Sequence, residues 1–152
     1  MHKRLIDEGF EYELWILGDG IKRESYEEFI RLNNIKEYTK LLGFKKNPYK
    51  YIKQCDSYIC SSRMEGYSLV VAESIILEKP IVSTMCSGPI ELIENGEYGI
   101  LVENSIDGIY SGMKKIISDV EVYNYYKRKA EERSRDFNLD KIINEVESIL
   151  DS

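Results

Sequence analysis

Cys60-Ser61-Ser62-Arg63-Met64-Glu65-Gly66-Tyr67-Ser68-Leu69-Val70-Val71-Ala72-Glu73-Ser74-Ile75-Ile76-Leu77-Glu78-Lys79-Pro80 decides the reading of this chain. It runs from the end of an apolar strand, through a polar loop with one glycine, into an unusually apolar helix. A strand that opens through small polar residues into a helix leaves the first N–H groups of that helix unpaired. They aim across the carboxyl edge of the sheet, where anions bind. Ser68 is the expected N-cap. Glu65 stands just ahead of the helix and Glu73 in its second turn, and helical side chains lean back toward the N-terminus. The two carboxylates therefore overlook one space. A carboxylate repels phosphate, so its partner there is a hydroxyl, and a vicinal diol suits its two acceptor oxygens. A ligand carrying both phosphate and sugar diols fits. On spacing alone the plainer account stays open, in which an acid near a helix start is favoured by the dipole.

Working outward, 152 residues suffice for one domain with a sizeable core. A net charge of -6 and a pI near 5.0 argue against a general nucleic-acid binder, which needs a basic face to displace counterions. Cys55, Cys60 and Cys86 form no CxxC pair and His2 is the only histidine, so no metal site is expected. The odd cysteine count, without a secretory signal, suggests a cytoplasmic chain whose thiols act as small core residues. No run is apolar enough to cross a membrane, and peripheral membrane association stays open.

Residues 1–8 read as the back of a helix with Gly9 as its C-terminal cap. Residues 12–17 form an apolar strand, expected to be buried on both faces and turned by Gly18-Asp19-Gly20. That Gly-x-Gly is a weak signal, because Arg23 stands where a dinucleotide fingerprint needs its third glycine. Residues 22–33 make an amphipathic helix with Tyr26, Phe29 and Ile30 on one side, and 38–44 a strand ending at Gly43. The lysines and aromatics of 45–53, with a helix starting near Pro48, read as a solvated face. Further strands are expected at 56–61, 80–84 and 100–102, and a helix at 69–77. Ser87-Gly88-Pro89 leads into a short helix, and Asn95-Gly96 and Gly99 frame a turn. The rest is helical: one stripe is Ile109, Met113, Ile116 and Ile117, another Leu139, Ile142, Ile143, Val146, Ile149 and Leu150. Strands alternating with helices give the fold class as α/β, a doubly wound parallel sheet whose ligands bind outside the carboxyl ends of its strands. The loops 18–20, 43–47, 62–68 and 84–89 should converge there.

Taken in order, several motifs resemble one family over nearly the whole chain. They are Gly18-Asp19-Gly20, Leu42-Gly43-Phe44 with Asn47-Pro48-Tyr49, Ser61 to Tyr67, Glu73, Pro80-Ile81-Val82-Ser83-Thr84, Gly88-Pro89 with Glu91, and Asn95-Gly96 with Gly99. The chain resembles the donor-binding C-terminal domain of a GT-B glycosyltransferase of the retaining family 4 (group 1) type, a Rossmann-like half of that fold. The resemblance implies a nucleotide-sugar donor, transfer with retention, and no obligatory metal; the absence of Asp-x-Asp agrees. It implies that Glu73 holds the ribose hydroxyls and Glu65 the donor sugar, as the catalytic residue. The backbone of Gly66, Tyr67 and Ser68 would face the sugar and distal phosphate, and Gly43, Phe44 and Lys45 would border the base. Gly18 and Gly20 would let the chain pass close to the ligand.

The same resemblance implies an additional strand bearing an Arg and a Lys that clamp the diphosphate, and an N-terminal acceptor-binding domain. Neither is found in these residues, so Lys22, Arg23 and Arg63 are the candidate substitutes for the clamp. In strand order 3-2-1-4-5-6 the missing strand is central. A gap is then expected between the Trp15 strand and the Tyr58 strand, closed by direct pairing or by a strand from another chain. The expectation is a donor-binding part of a transferase, residues 1–152 of an N-terminally truncated or split enzyme, inactive alone. It would act in polysaccharide or glycolipid biosynthesis, with the acceptor held by an N-terminal domain or separate subunit. The competing readings are a non-catalytic nucleotide-sugar-binding module and an unrelated nucleotide-binding α/β domain, such as an epimerase half.

Overall fold

The computed structural model describes residues 1–137. The chain divides into two compact units, Met1–Lys50 and Tyr51–Ser152; the stripe from Leu139 to Leu150 lies outside the described residues.

In the first unit, α1 (His2–Asp7) precedes β1 (Leu14–Leu17), α2 (Arg23–Leu32), a 3-10 turn (Lys36–Tyr38) and β2 (Thr39–Gly43). Gly9 ends α1 as expected, at φ +87 with its N–H donating to the Ile6 carbonyl at 2.9 Å. β1 and β2 pair in parallel, Leu14 opposite Thr39 and Trp15 opposite Lys40, and α2 lies in the crossover between them. One expectation is corrected here: β1 is only half-buried along its length. α2 is amphipathic as expected, and of its apolar side Ile30 is buried while Tyr26 and Phe29 stay 46% and 53% exposed. Among the described residues β1 has a ladder on one side only, and a unit of this size has too little chain to cover both faces of a strand.

A polar contact fastens α1 to this small sheet. Thr39 Oγ1 donates to the Ile35 carbonyl at 2.9 Å, so toward His2 Nε2, also at 2.9 Å, it accepts. Nε2 therefore carries the proton, and Nδ1 accepts from the Tyr12 hydroxyl at 2.6 Å. Burial lowers the His2 pKa below its ordinary 6.5, opposed by a backbone hydrogen bond to Tyr38. Because the neutral ring is favoured on folding, its stabilisation is complete above the ordinary value. It is lost as pH falls from there toward the lowered folded value, since the unfolded chain takes up the proton first. Melting followed between pH 8 and pH 5 should show this unit weakening below about pH 6.5, and His2→Gln should remove that portion of the slope.

After α3 (Tyr49–Ile52), which spans the boundary, the second unit contains β3 (Tyr58–Cys60), α4 (Leu69–Ile76), β4 (Ile81–Thr84) and α5 (Ser87–Leu92). A 3-10 turn (Glu94–Gly96), β5 (Ile100–Val102), α6 (Ile106–Ser118), α7 (Val120–Ser134) and a final 3-10 turn (Arg135–Phe137) follow. Its sheet is parallel in order β3-β4-β5, with Cys60 opposite Ser83 and Thr84 opposite Val102. β4 is central and wholly buried, as its sequence Ile-Val-Ser-Thr suits. Cys60, Val71, Ala72, Ile75, Ile81, Leu92 and Ile93 form one core cluster. α6 packs closely because of Gly112: a Cβ there would meet Val82 Cγ1 at 2.6 Å and Val102 Cγ1 at 2.8 Å. Ser105 caps α6 and Asp119 caps α7 through side-chain acceptors. Arg133 of α7 donates to the Leu92 carbonyl at 3.1 Å and pairs with Glu94 at 2.7 Å.

The parallel α/β class holds, and the ladder is interrupted where the missing strand was expected: among the described residues β1 does not pair with β3, and the strands form two parallel sets, β1-β2 and β3-β4-β5. Among the described residues β3, like β1, carries a ladder on one side only. α4, apolar as its sequence requires, is covered by the described residues on one side only. It buries Val71, Ala72, Ser74 and Ile75 while Leu69, Val70 and Ile76 stay exposed, because the described chain of its unit covers one face. No described helix is long and apolar enough to cross a membrane.

Candidate donor-binding site

The site is built at the carboxyl ends of β3 and β4. β3 ends at Cys60, and the chain crosses residues 61–68 before α4 begins. Ser68 occupies the N-cap position with extended backbone, as expected, yet its side chain makes no capping bond. Its hydroxyl is buried without a hydrogen-bond partner among the described residues. Such an atom is costly unless something bonds it. The first turn of α4 is left uncapped beside it, so a donor hydroxyl and a row of helical amides share one spot, which suits an anion.

Glu65 is half-buried and accepts from Ser62 Oγ at 2.8 Å, which fixes one carboxylate oxygen and leaves the other for a ligand. Glu73 is half-buried in the second turn of α4. Tyr58 on β3 lies within the electrostatic reach of both acids. Burial pushes the Tyr58 phenol up to about 12, and the charges of Cys60, Glu65 and Glu73 push the same way. Gly66 and Tyr67 are exposed at the loop's tip, as is Arg63, whose carbonyl accepts from Asn104 Nδ2 at 2.9 Å. The 84–89 segment meets this loop: the Gly88 N–H donates to the Glu65 carbonyl at 3.2 Å. Among the described residues no group of three His, Cys, Asp or Glu could hold a metal ion.

The remaining candidates lie in the first unit and are described within it. The ends of β1 and β2 meet where the Gly18 N–H donates to the Gly43 carbonyl at 3.0 Å, with φ +117 and +68 at these two positions. Glycine alone adopts those angles without strain. Gly20 follows in the exposed turn, its N–H donating to Asp19 Oδ1 at 3.0 Å. A cleft of about 350 Å³ opens here, lined by Ile16, Gly18, Asp19, Gly20 and Arg23. Phe44 is 77% exposed, a flat ring in solvent, and Lys45 is half-buried. Of the substitute cations, Arg23 is shared between Asp19 at 3.7 Å and Glu27 at 2.9 Å, which neutralises it. Lys22 and Arg63 are exposed.

Sequence reasoning missed Tyr58, Cys86 and Asn104, and gave Thr84 no role. Thr84 was legible as a polar residue closing an apolar strand. Asn104 carried no signal beyond following a strand.

Comparison with known proteins shows the family of the chain. The profile of the family Glycosyl transferases group 1 matches residues 3–133, and the chain belongs to the group 1 glycosyltransferase family. It is 35% identical over 134 residues to the N-acetylgalactosamine-N,N'-diacetylbacillosaminyl-diphospho-undecaprenol 4-alpha-N-acetylgalactosaminyltransferase of Campylobacter jejuni, covering 87% of this chain and 37% of that protein. Its fold is similar to that of Anabaena HepE in complex with UDP, with TM-score 0.77, 21% identity and coverage of 92% of this chain and 41% of that one. It is also similar to a Staphylococcus aureus TarM variant in complex with fondaparinux, alpha-GlcNAc-glycerol and UDP. There the TM-score is 0.82, the identity 20%, and coverage 99% of this chain and 31% of that one. The chain thus spans well under half the length of each. Its fold is the one found in GT-B glycosyltransferases.

Proposed function

We propose that this chain binds a nucleotide-sugar donor and forms the donor side of a glycosyl transfer with retention of configuration. The observation that carries the reading is the start of α4, where the Ser68 hydroxyl is buried without a partner among the described residues and the helical amides are uncapped, with Glu65 in the loop ahead and Glu73 in the second turn. The amides and Ser68 would take the diphosphate, Glu73 the ribose hydroxyls and Glu65 the sugar hydroxyls, each acceptor meeting a donor. Positioned N–H groups at the leaving diphosphate stabilise the charge that develops as the glycosidic bond breaks, so no metal step is invoked. Two similar structures contain UDP, which favours a uridine nucleotide.

The acceptor would be held by residues outside this chain, in an N-terminal domain or a separate subunit. The Campylobacter relative's undecaprenol-linked acceptor supports a role in polysaccharide or glycolipid assembly at the cytoplasmic membrane face. A second reading, donor binding without transfer, draws on the neutralised Arg23. Calorimetric titration with UDP, GDP, UDP-N-acetylglucosamine and GDP-mannose tests the proposal. One nucleotide series should bind, in the micromolar to millimolar range usual for enzyme substrates; failure of all four to bind the folded chain would defeat it. Slow release of the sugar from a bound donor would then separate transfer chemistry from binding alone.

A further inference from the structure

The loop carrying Glu65 is gripped through its carbonyls by residues to which the donor-site reading assigns no contact with the ligand. The Ser62 carbonyl accepts from Thr84 Oγ1 at 2.5 Å and from Cys86 Sγ at 3.2 Å. The Arg63 carbonyl accepts from Asn104 Nδ2 at 2.9 Å, and the Glu65 carbonyl from the Gly88 N–H at 3.2 Å. Ser62 itself passes the constraint on, its Oγ donating to Glu65 Oε1 at 2.8 Å. In a planar trans peptide the C=O of one residue points opposite the N–H of the next. Binding the Glu65 carbonyl from behind therefore turns the Gly66 N–H toward the opposite side.

We infer that Thr84 and Asn104, with Cys86 beside Thr84, are positioning residues of the donor site. They set the Ser62 and Arg63 peptides so that the Glu65 carboxylate and the Gly66 amide face the donor's sugar; this rests on the function proposed above. Thr84 is fully buried, and its hydroxyl proton is spent on the loop. Replacement by the similarly shaped valine strips a donor from Ser62. Asn104 is exposed and adds nothing to the core, so its removal acts on the loop without loosening the fold. Cys86 is the weaker donor of the pair, as thiols are.

The test combines backbone hydrogen exchange of the ligand-free chain with calorimetric titration by UDP, GDP, UDP-N-acetylglucosamine and GDP-mannose. In Asn104→Ala and Thr84→Val, exchange at residues 63–68 should quicken by about tenfold while β4 and β5 amides in Asn104→Ala stay at wild-type rates. Affinity for the sugar nucleotide should fall about three- to tenfold, the range of one neutral hydrogen bond, with affinity for the nucleoside diphosphate unchanged. Thr84→Ser should restore both. Unaltered loop exchange overturns the inference, as does faster exchange with wild-type sugar-nucleotide affinity, or an equal loss for diphosphate and sugar nucleotide. Should Thr84→Val fail to fold, Asn104→Ala decides alone. If the wild-type chain binds none of the four probes, the donor-site reading and the assigned role fall together, and exchange alone decides whether these residues hold the loop.

Discussion

Glu73→Gln is expected to weaken binding of the nucleoside diphosphate by about 10- to 100-fold while the melting temperature stays within a degree or two of wild type. Hydrogen bonds to a charged group contribute about 1.5–3 kcal/mol, and each 1.4 kcal/mol is tenfold in affinity. The glutamine amide keeps the shape but offers one acceptor oxygen in place of two, and turns a pair of lone-pair sites into donors facing hydroxyl protons. Glu73 is half-buried on α4, and none of the core residues Val71, Ala72 and Ile75 depends on its charge for burial; substitutions of this kind cost little stability. Glu65→Gln should behave differently. Its carboxylate lies in the loop beside Ser62, ahead of the helix start, so the diphosphate alone should bind as before and the sugar nucleotide should bind more weakly. Titration of both variants with a nucleoside diphosphate and its sugar derivative reads the contrast directly. Wild-type affinity in both variants would remove these two residues from the site.

What the sequence disclosed and what it withheld divide along physical lines. The junction at residues 60–80 was legible because it depends on local signals: an apolar strand, small polar residues, one glycine, then an apolar run. The structure places Ser68 at the N-cap, with Glu65 in the loop ahead of α4 and Glu73 in its second turn. The helix break at Asp119 was only faintly visible as a change to charged residues, although the aspartate caps α7. Burial was misjudged wherever it depended on neighbours rather than on the strand or helix itself. The strand at Leu14–Leu17 is apolar enough for a covered position, yet half-buried throughout. Ser68 shows the same limit from the polar side. A serine before a helix predicts a cap, and the missing capping bond is set by a backbone geometry that no residue type announces. The grip of Thr84, Cys86 and Asn104 on the loop joins residues separated by 22, 24 and 41 positions, beyond the reach of any periodicity.

Gly88→Ala should disable the site more thoroughly than any change to a charged residue. A Cβ at Gly88 would stand 2.4 Å from the Gly66 carbonyl oxygen and 2.9 Å from Tyr67 Cα. Both are backbone atoms, so no side-chain rotation relieves the overlap and either α5 or the loop must move. α5 is the firmer of the two: Gly88, Pro89 and Leu92 are buried, and Leu92 belongs to the core cluster. Gly66 and Tyr67 are exposed at the tip of their loop, so the loop gives way. A displacement of about 1 Å there carries both Glu65 and the Gly66 amide off the donor, so that one charged and one neutral hydrogen bond, about 1.5–3 and 0.5–1.5 kcal/mol, are lost together. Overpacking adds about 1–3 kcal/mol of destabilisation, which lowers the melting temperature by about 2–8 °C for each kcal/mol. A melting curve and a sugar-nucleotide titration on the same sample measure both consequences. The expected pair is a folded chain with a modestly lowered transition and sugar-nucleotide affinity reduced by on the order of 100-fold or more. An alanine variant with wild-type melting and wild-type affinity would mean that α5 and the Glu65 loop are not in the close contact described, and that the loop is set by some other part of the chain.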